Sequence, residues 1–384
     1  MDSDEGPGTV NPSTPTVWVL LDDRPGNSTQ SMGLAECLGW PFEIKKLVFF
    51  SSSTRWFSPS GIEHVDAARS SVLAAPWPDL VIAAGQRTAP VSKWIKSQSQ
   101  GRTKIVHLGR KGGLVMDDFD LVVTPRYCQL PSHPKRMEIT VPLNRVTPEK
   151  LLRAKHEAPD VLKDSSRLRI VLLVGGATPK LGFNETVAVQ MGEAVRAFAE
   201  AHNGRVFALT SRRTTNVVAD ALETALGDRG QVFRWDSAQV TIPYLSALSL
   251  ADVIVVTGDS ESMMAEVAAT DKPMFIYPLP IAQSRERKKR NIKKWIKRWV
   301  FTHSSLPLQV EGAVHQQHGP VTSWCTWLFE RGYFHPPRRL DVLHQDLFSK
   351  GVARQLGASF SPEKRQPLSE AHNVAHFIQS HWFQ

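Results

Sequence analysis

Residues 251–280, ADVIVVTGDSESMMAEVAATDKPMFIYPLP, decide the fold of this 384-residue chain. Val253 to Val256 is an unbroken apolar run, the pattern of a parallel strand covered on both faces. Thr257, Gly258, Asp259 and Ser260 end the run, and Asp259 or Ser260 can cap a helix carrying Met263, Met264, Val267 and Ala268. A second apolar stretch, PMFIYP, completes a strand, turn, helix, strand unit. In such a unit the amides of Glu261 to Met263 have no intrahelical acceptor. They face the crevice at the carboxyl end of the sheet with a partial positive charge. Ser262 and Glu266 stand four apart, on one helix face. A phosphate at the amides with a sugar diol on Glu266 is one reading; an ordinary capped helix with a solvated Glu is the other.

The same alternation extends in both directions. Runs at 17–22, 79–85, 104–109 and 120–125 are strand-like, with helical spacing over 27–38 and 89–97. After a polar stretch, 153–167, it restarts with strands at 169–176, 205–211, 231–235, 252–258 and 273–278. Helices are predicted near 184–201, 214–226, 241–250 and 260–270. Two successive βα arrays predict an α/β fold of two doubly wound, Rossmann-like domains facing a cleft. The expected organisation is a disordered tail (1–15), an N-terminal domain (16–155), and a C-terminal domain (165–300) with a basic amphipathic segment (284–300). An extension (301–384) is expected to pack back on the first domain.

Polar residues cluster where strands end. After the first strand, Asp22, Asp23, Arg24 and Gly26 are expected to form a turn, Asn27 or Ser28 to cap the next helix, and Gly39 to end it. Asp22, Asp23, Asn27 and Gln30 are then placed to touch a ligand, unless the turn is purely structural. The segment AAGQRTAP (83–90) offers Gly85, Arg87 and Thr88, or simply a βα loop before an N1-type proline. Gly175 and Gly176 let backbone approach a ligand, and Thr178 and Lys180 add a hydroxyl and a cation. This pattern is neither a dinucleotide fingerprint nor a P-loop. In LTSRRTTN, Arg212 and Arg213 follow another strand, where a guanidinium could grip a diphosphate bidentately; a solvated arginine pair is the alternative.

The net charge of +9 is concentrated. Between Arg285 and Arg298 nine Lys or Arg stand against one Glu, which argues against a broadly basic nucleic-acid face. Ile292, Trp295, Ile296 and Trp299 recur at i, i+3, i+4 and i+7, setting an apolar stripe beneath a cationic shell. Lys288, Lys289, Arg290, Lys293, Lys294, Trp295, Lys297, Arg298 and Trp299 are predicted to contact an anionic membrane surface or an acidic protein partner. Docking of the stripe on the protein itself, or RNA phosphate, are the alternatives. No apolar run reaches the roughly eighteen residues of a spanning helix. The acidic, Pro-rich start lacks an apolar h-region, and three scattered cysteines make no disulfide framework. A cytoplasmic protein, peripheral to a membrane if bound to one, is the expectation. Eight of thirteen histidines lie beyond residue 300. His372 and His376 share a helix face without a ligand set, so no metal is expected. No G-x-S-x-G elbow occurs.

Five motifs, VWVLLDDRPGNSTQSMGLAECLG, DLVIAAGQRTAPV, LVGGATPK, LTSRRT and VVTGDSESMMAEVAATDKP, lie in this order within residues 17–280. Together they resemble the plant mitochondrial-fission (elongated mitochondria) protein family and its bacterial relatives. That family is in turn similar to the GT-B class of nucleotide-sugar glycosyltransferases. The resemblance implies that Gly175 and Gly176 match a Gly-Gly loop, Ser211 and Arg212 a post-strand loop, and Glu266 a ribose-binding Glu. Taken with the loop residues read above, the expectation is a nucleotide-diphosphate sugar on the second domain, held by Gly175, Gly176, Thr178, Ser211, Arg212, Arg213, Asp259, Ser260, Ser262, Met263 and Glu266. On the reading of the first-domain turns above, the acceptor side would be Gly26, Gln30, Gly85, Arg87 and Thr88, with no cofactor or metal required. Where the glycosyltransferases carry a Gly-rich, His-bearing turn after the first strand, this chain has Asp22 and Asp23, which are the candidate bases. The competing expectation is a non-catalytic adaptor at a membrane, as the plant family's fission role implies.

Overall fold

The structure is a computed structural model describing residues 14–50, 60–109, 116–130, 133–178, 181–235, 243–280, 296, 299–300, 319–330 and 339–383. The chain divides into two compact units. One comprises residues 1–123, 133–137 and 371–384, the other 124–132 and 138–370.

The first unit is built on a six-stranded sheet of order β2-β1-β3-β4-β5-β6. Its elements are β1 (Val17–Leu21), α1 (Pro25–Leu38), β2 (Phe42–Lys46), β3 (Leu80–Ala84), α2 (Thr88–Gln98), β4 (Lys104–Leu108), β5 (Leu121–Pro125) and β6 (Arg136–Ile139). β1 pairs in parallel with β2 and β3, β3 with β4, and β4 with β5. Every residue of β3 is buried, as its unbroken apolar run requires. Trp18, Leu20, Val81, Ala83, Val91 and Ile95 form the core on one side, and Ala89, Ile105, Phe119 and Val122 a smaller cluster. α1 starts at Pro25, two residues earlier than expected, because proline's fixed φ suits a first turn. Gly39 closes it at φ +68°, its N–H donating to the Glu36 carbonyl.

The second unit carries a six-stranded sheet of order β12-β11-β10-β7-β8-β9. Its elements are α3 (Pro148–His156), β7 (Leu168–Leu173), α4 (Glu185–Ala201), β8 (Gly204–Leu209), α5 (Asn216–Leu226), β9 (Gly230–Phe233), α6 (Tyr244–Leu250), β10 (Val253–Thr257), α7 (Glu261–Ala268) and β11 (Met274–Tyr277). Three more follow: α8 (Pro320–Glu330), α9 (Leu340–Ser349) and β12 (Arg354–Gln355). All the pairings of this sheet are parallel. Thr147, Asn184 and Thr215 cap α3, α4 and α5 with their side-chain oxygens. Large apolar clusters cover both sheet faces, one including Leu173, Ile254, Met264 and Leu343, the other Leu172, Met191, Leu222 and Val255.

The division differs from the sequence expectation in two places. The second unit begins well before the polar stretch at 153–167, because α3 lies within it and packs on α6: Ser246 and Ser249 donate to the carbonyls of Ala154 and Leu151. The C-terminal extension is also divided. α9 and β12 belong to the second unit, where Phe275 and Ile276 pair with Arg354 and Gln355. Only α10 (Glu370–Trp382) completes the first, with Val374, Ala375 and Ile378 buried and Gln379 Nε2 donating to the Leu38 carbonyl. His372 and His376 are exposed on it.

The strand orders fix where a ligand could sit. In the second sheet the chain proceeds outward from β7 through β8 to β9, then returns to the other side of β7 for β10 and β11. The loops after β7 and β10 therefore diverge and open a crevice at their carboxyl ends, the topological switch point of a doubly wound sheet. In the first sheet the switch point lies between β1 and β3.

Candidate functional site

At the switch point of the second unit, the loops after β7, β8 and β10 are tied together by short polar contacts. The Gly175 N–H donates to Thr257 Oγ1 at 2.8 Å, and the Gly176 N–H to Asp259 Oδ2 at 3.1 Å. Ser211 Oγ donates to the Gly175 carbonyl at 3.1 Å, and Thr214 Oγ1 reaches the same carbonyl. Both glycines are obligatory by space. A Cβ on Gly175 would overlap the Asp259 carboxylate, and one on Gly176 the backbone of Arg213. The close backbone approach expected toward a ligand is thus an approach of loop to loop.

Asp259 is the hub. Its side chain is fully buried, Oδ2 also meets Arg213 at 2.9 Å, and Oδ1 finds no hydrogen-bond partner. Arg213 therefore balances a buried carboxylate while remaining exposed itself, and Arg212 beside it is exposed as well. Ser260 occupies the N-cap position of α7, but neither Ser260 nor Asp259 caps the helix: the Ser260 side chain makes no capping bond and Asp259 turns to Gly176. The first intrahelical bond runs from Met264 N–H to the Ser260 carbonyl, so the first-turn amides have no acceptor within the helix. Ser262 is exposed there and Met263 half-buried. Glu261, in the same turn, accepts from Tyr127 Oη at 2.6 Å. Thr178 closes a turn by accepting the Leu181 N–H at 3.0 Å, and Lys180 lies outside the described residues.

Glu266 is half-buried one turn along α7, and Tyr244 Oη donates to its Oε2 at 2.7 Å. Burial pushes the Glu266 carboxyl above the usual range, against the Tyr244 hydrogen bond, and burial with the Glu266 charge drives the phenol well above its ordinary value. From α9, His344 Nε2 donates to the Gly258 carbonyl at 2.9 Å; burial pulls this ring below its ordinary value. Tyr127, Thr214, Tyr244, Thr257 and His344 were not among the residues expected from sequence. Thr257, as the last residue of β10, and Thr214, inside LTSRRTTN, lay in the quoted motifs. Tyr127, Tyr244 and His344 arrive from elsewhere in the chain with no local signal.

In the first unit the polar groups after β1 and β3 also meet. Asp23 pairs with Arg87 at 2.9 Å. Asp22 accepts from Asn27 Nδ2 at 2.9 Å and from the Arg24 N–H at 3.1 Å. Burial raises the Asp22 carboxyl, with Asn27 and Arg24 opposing. Asn27 thus braces Asp22 and lies against Gly85, at φ +85°, instead of capping α1. Gly26 is exposed within the first turn of α1, and Gln30 donates to its carbonyl. Thr88 is fully buried and donates to the Ala84 carbonyl at 2.7 Å, so it is not exposed for contact with an acceptor.

Of the cationic segment, Lys288, Lys289, Arg290, Lys293, Lys294, Trp295, Lys297 and Arg298 lie outside the described residues, as does the tail through residue 13. Trp299 is described and packs on the cluster of Val300, Cys325 and Leu328. Among the described residues no group of three His, Cys, Asp or Glu could hold a metal, and no helix is long and apolar enough to cross a membrane.

These features define a protein of two doubly wound α/β units, each with polar loops converging at its switch point. The family described as mitochondrial fission ELM1 matches residues 25–304, and the chain belongs to it. An uncharacterized protein of Rickettsia prowazekii is 24% identical over 309 residues, 71% of this chain and 86% of its own length. The mitochondrial fission protein ELM1 of Arabidopsis thaliana is 23% identical over 221 residues, 52% of this chain and 51% of its own. Among solved structures, a putative UDP-N-acetylglucosamine 2-epimerase from Listeria monocytogenes is similar at 15% identity and TM-score 0.44, over 69% of this chain and 79% of that one. Acinetobacter baumannii MurG is similar at 11% identity and TM-score 0.40, over 95% of this chain and all of its own.

Proposed function

We propose that the second unit binds a nucleotide-diphosphate sugar at the carboxyl ends of β7, β8 and β10. The observation that supports this is the convergence at the switch point of an α7 N-terminus without a side-chain cap, the Gly175–Gly176 backbone and the Arg212–Arg213 pair. First-turn amides and the exposed Arg212 suit the diphosphate, and Arg213 screens the anion from Asp259. Glu266, oriented by Tyr244, suits a ribose diol. A glycosyl transfer to a membrane-associated acceptor would need these groups to stabilise the departing diphosphate. Asp22 or Asp23 would have to act as base, with Gln30, Gly85 and Arg87 at the acceptor side.

A second reading, a non-catalytic adaptor, is favoured by one observation: Asp23 is engaged by Arg87 and Asp22 by Asn27, so each candidate base already has a partner.

Calorimetric titration with nucleoside diphosphates and their sugar esters tests the binding step. At least one ligand is expected to bind. Glu266→Gln and Arg212→Ala should each weaken it by about tenfold or more, the worth of a lost charge-assisted hydrogen bond. If no compound in the panel binds, or both variants bind as wild type does, the proposal fails. Product release with a bound sugar ester present would separate the transferase from the adaptor.

A further inference from the structure

The loops that suit a diphosphate in the second unit already enclose an anion of the protein's own. The Gly176 N–H and the Arg213 guanidinium both face the Asp259 carboxylate, at 3.1 Å and 2.9 Å. Asp259 also stands two residues before Glu261, the first residue of α7, so its charge lies near the positive end of that helix. Its side chain has no exposure at all, whereas that of Arg213 is 45% exposed. Water therefore screens the cation of this pair far more than the anion. The second carboxylate oxygen, Oδ1, is closed off without a hydrogen-bond partner among the described residues, so no donor there draws off its share of the charge. Glu261 and Glu266 place two more carboxylates on α7, but each accepts from a phenol and each is partly exposed.

A charge shut away from water beside an anion site sorts ligands by charge. Diphosphates come in two forms. With both ends esterified, as in a nucleotide sugar, each phosphate carries one charge. With one end free, the terminal phosphate carries a second charge above a pKa of about 6. The attractive groups here are partial charges on first-turn amides and the exposed guanidinium of Arg212, which solvent weakens. The opposing group is a whole charge that solvent does not reach. The additional charge of a free end gains little from the first and loses to the second.

We propose that Asp259 sets the charge of the ligand, so that this site takes a diphosphate esterified at both ends and disfavours one with a free terminal phosphate. The inference rests on the nucleotide-diphosphate reading above and names the form of that ligand which is held. It also gives the site a direction. A ligand that surrendered its sugar to an acceptor would acquire the charge that Asp259 opposes, and would leave.

Calorimetric titration of the full chain at about pH 8 tests this with nucleoside diphosphates and their terminal methyl esters, which match closely in size and differ by one charge there. Wild type should bind the methyl ester about threefold or more tightly than the free diphosphate. Asp259→Asn keeps an oxygen that can accept from Gly176 and Arg213 but loses the charge. It should tighten the free diphosphate about tenfold or more and the ester several-fold less, so that the preference vanishes or inverts. A merely structural role for Asp259 would move both ligands by the same factor. Should circular dichroism show the variant misfolded, the wild-type pair of affinities still decides. Wild type binding the free diphosphate as tightly as its ester, or a preference that persists unchanged in a folded Asp259→Asn, overturns the proposal and leaves nucleotide binding standing. If no probe binds either protein, both fail together.

Discussion

Asp259 shows how a single side chain can hold a loop cluster. It accepts from Gly176, pairs with Arg213 and lies against Gly175, all with no exposure of its own side chain. Gly175→Ala should therefore destabilise the protein by about 1–3 kcal/mol, the usual cost of overpacking. Gly176→Ala should do at least as much, because the atoms it meets are backbone and cannot rotate away. Urea midpoints at constant m-value would check both. His344 predicts a pH dependence whose sign is fixed. Its folded-state pKa lies below the ordinary 6.5, so between the two values the unfolded chain holds more protons than the folded one. Stability should be flat above that window and fall as the pH drops through it. His344→Gln, which can still donate to Gly258, should abolish the slope. A variant with an unchanged profile between about pH 7 and pH 5 would show that other groups set it. These contacts were only partly legible in advance. Gly175, Asp259 and Arg213 announced themselves by following apolar runs, whereas Tyr244 and His344 reach Glu266 and Gly258 from other elements of the fold.

At the scale of elements, α7 is held from both ends. Its C-terminal carbonyls, those of Val267 and Ala268, accept from the Arg365 guanidinium, which also reaches the Lys272 carbonyl. Burial brings this arginine down to about 10. Its cation faces the negative end of the helix, a favourable placement that also satisfies otherwise orphaned carbonyls. Arg365→Ala should cost about 2–4 kcal/mol, because several buried acceptors lose their donor together. Arg365→Lys should recover only part, having no planar fork. Denaturant melts of the pair would measure this, and equal losses would mean that packing rather than the fork matters. The buried strands β1, β3, β7, β8, β10 and β11 were readable because parallel strands covered on both faces become unbroken apolar runs. β2 and β6 were not: FEIKK lies at one edge and RMEI at the other, and each mixes charges with its apolar residues. α3, in which Leu151, Leu152 and Ala154 are interleaved with five charged or polar residues, was hidden in what looked like the approach to a linker.

For the whole molecule, two successive βα arrays were legible, but the path of the chain between them was not. The division passes four times through the sequence, after residues 123, 132, 137 and 370. No composition shift marks the last of these, since α10 is recruited by contacts to Leu38 and Trp40 that only the folded first unit presents. Truncation after Glu370 should therefore loosen α1 and the β1–β2 edge while leaving β7 to β11 protected. Amide hydrogen exchange would resolve the two. Uniform loss of protection would show instead that the units unfold together.

The placement of α10 has a bearing on synthesis. As the chain leaves the ribosome, β1 to β5 emerge first, yet the helix that covers Leu38 comes only after the entire second unit. The first unit to be started is the last to be finished. During that interval its incomplete apolar face, later sealed by Val374, Ala375 and Ile378, is open to chaperones and to misassociation.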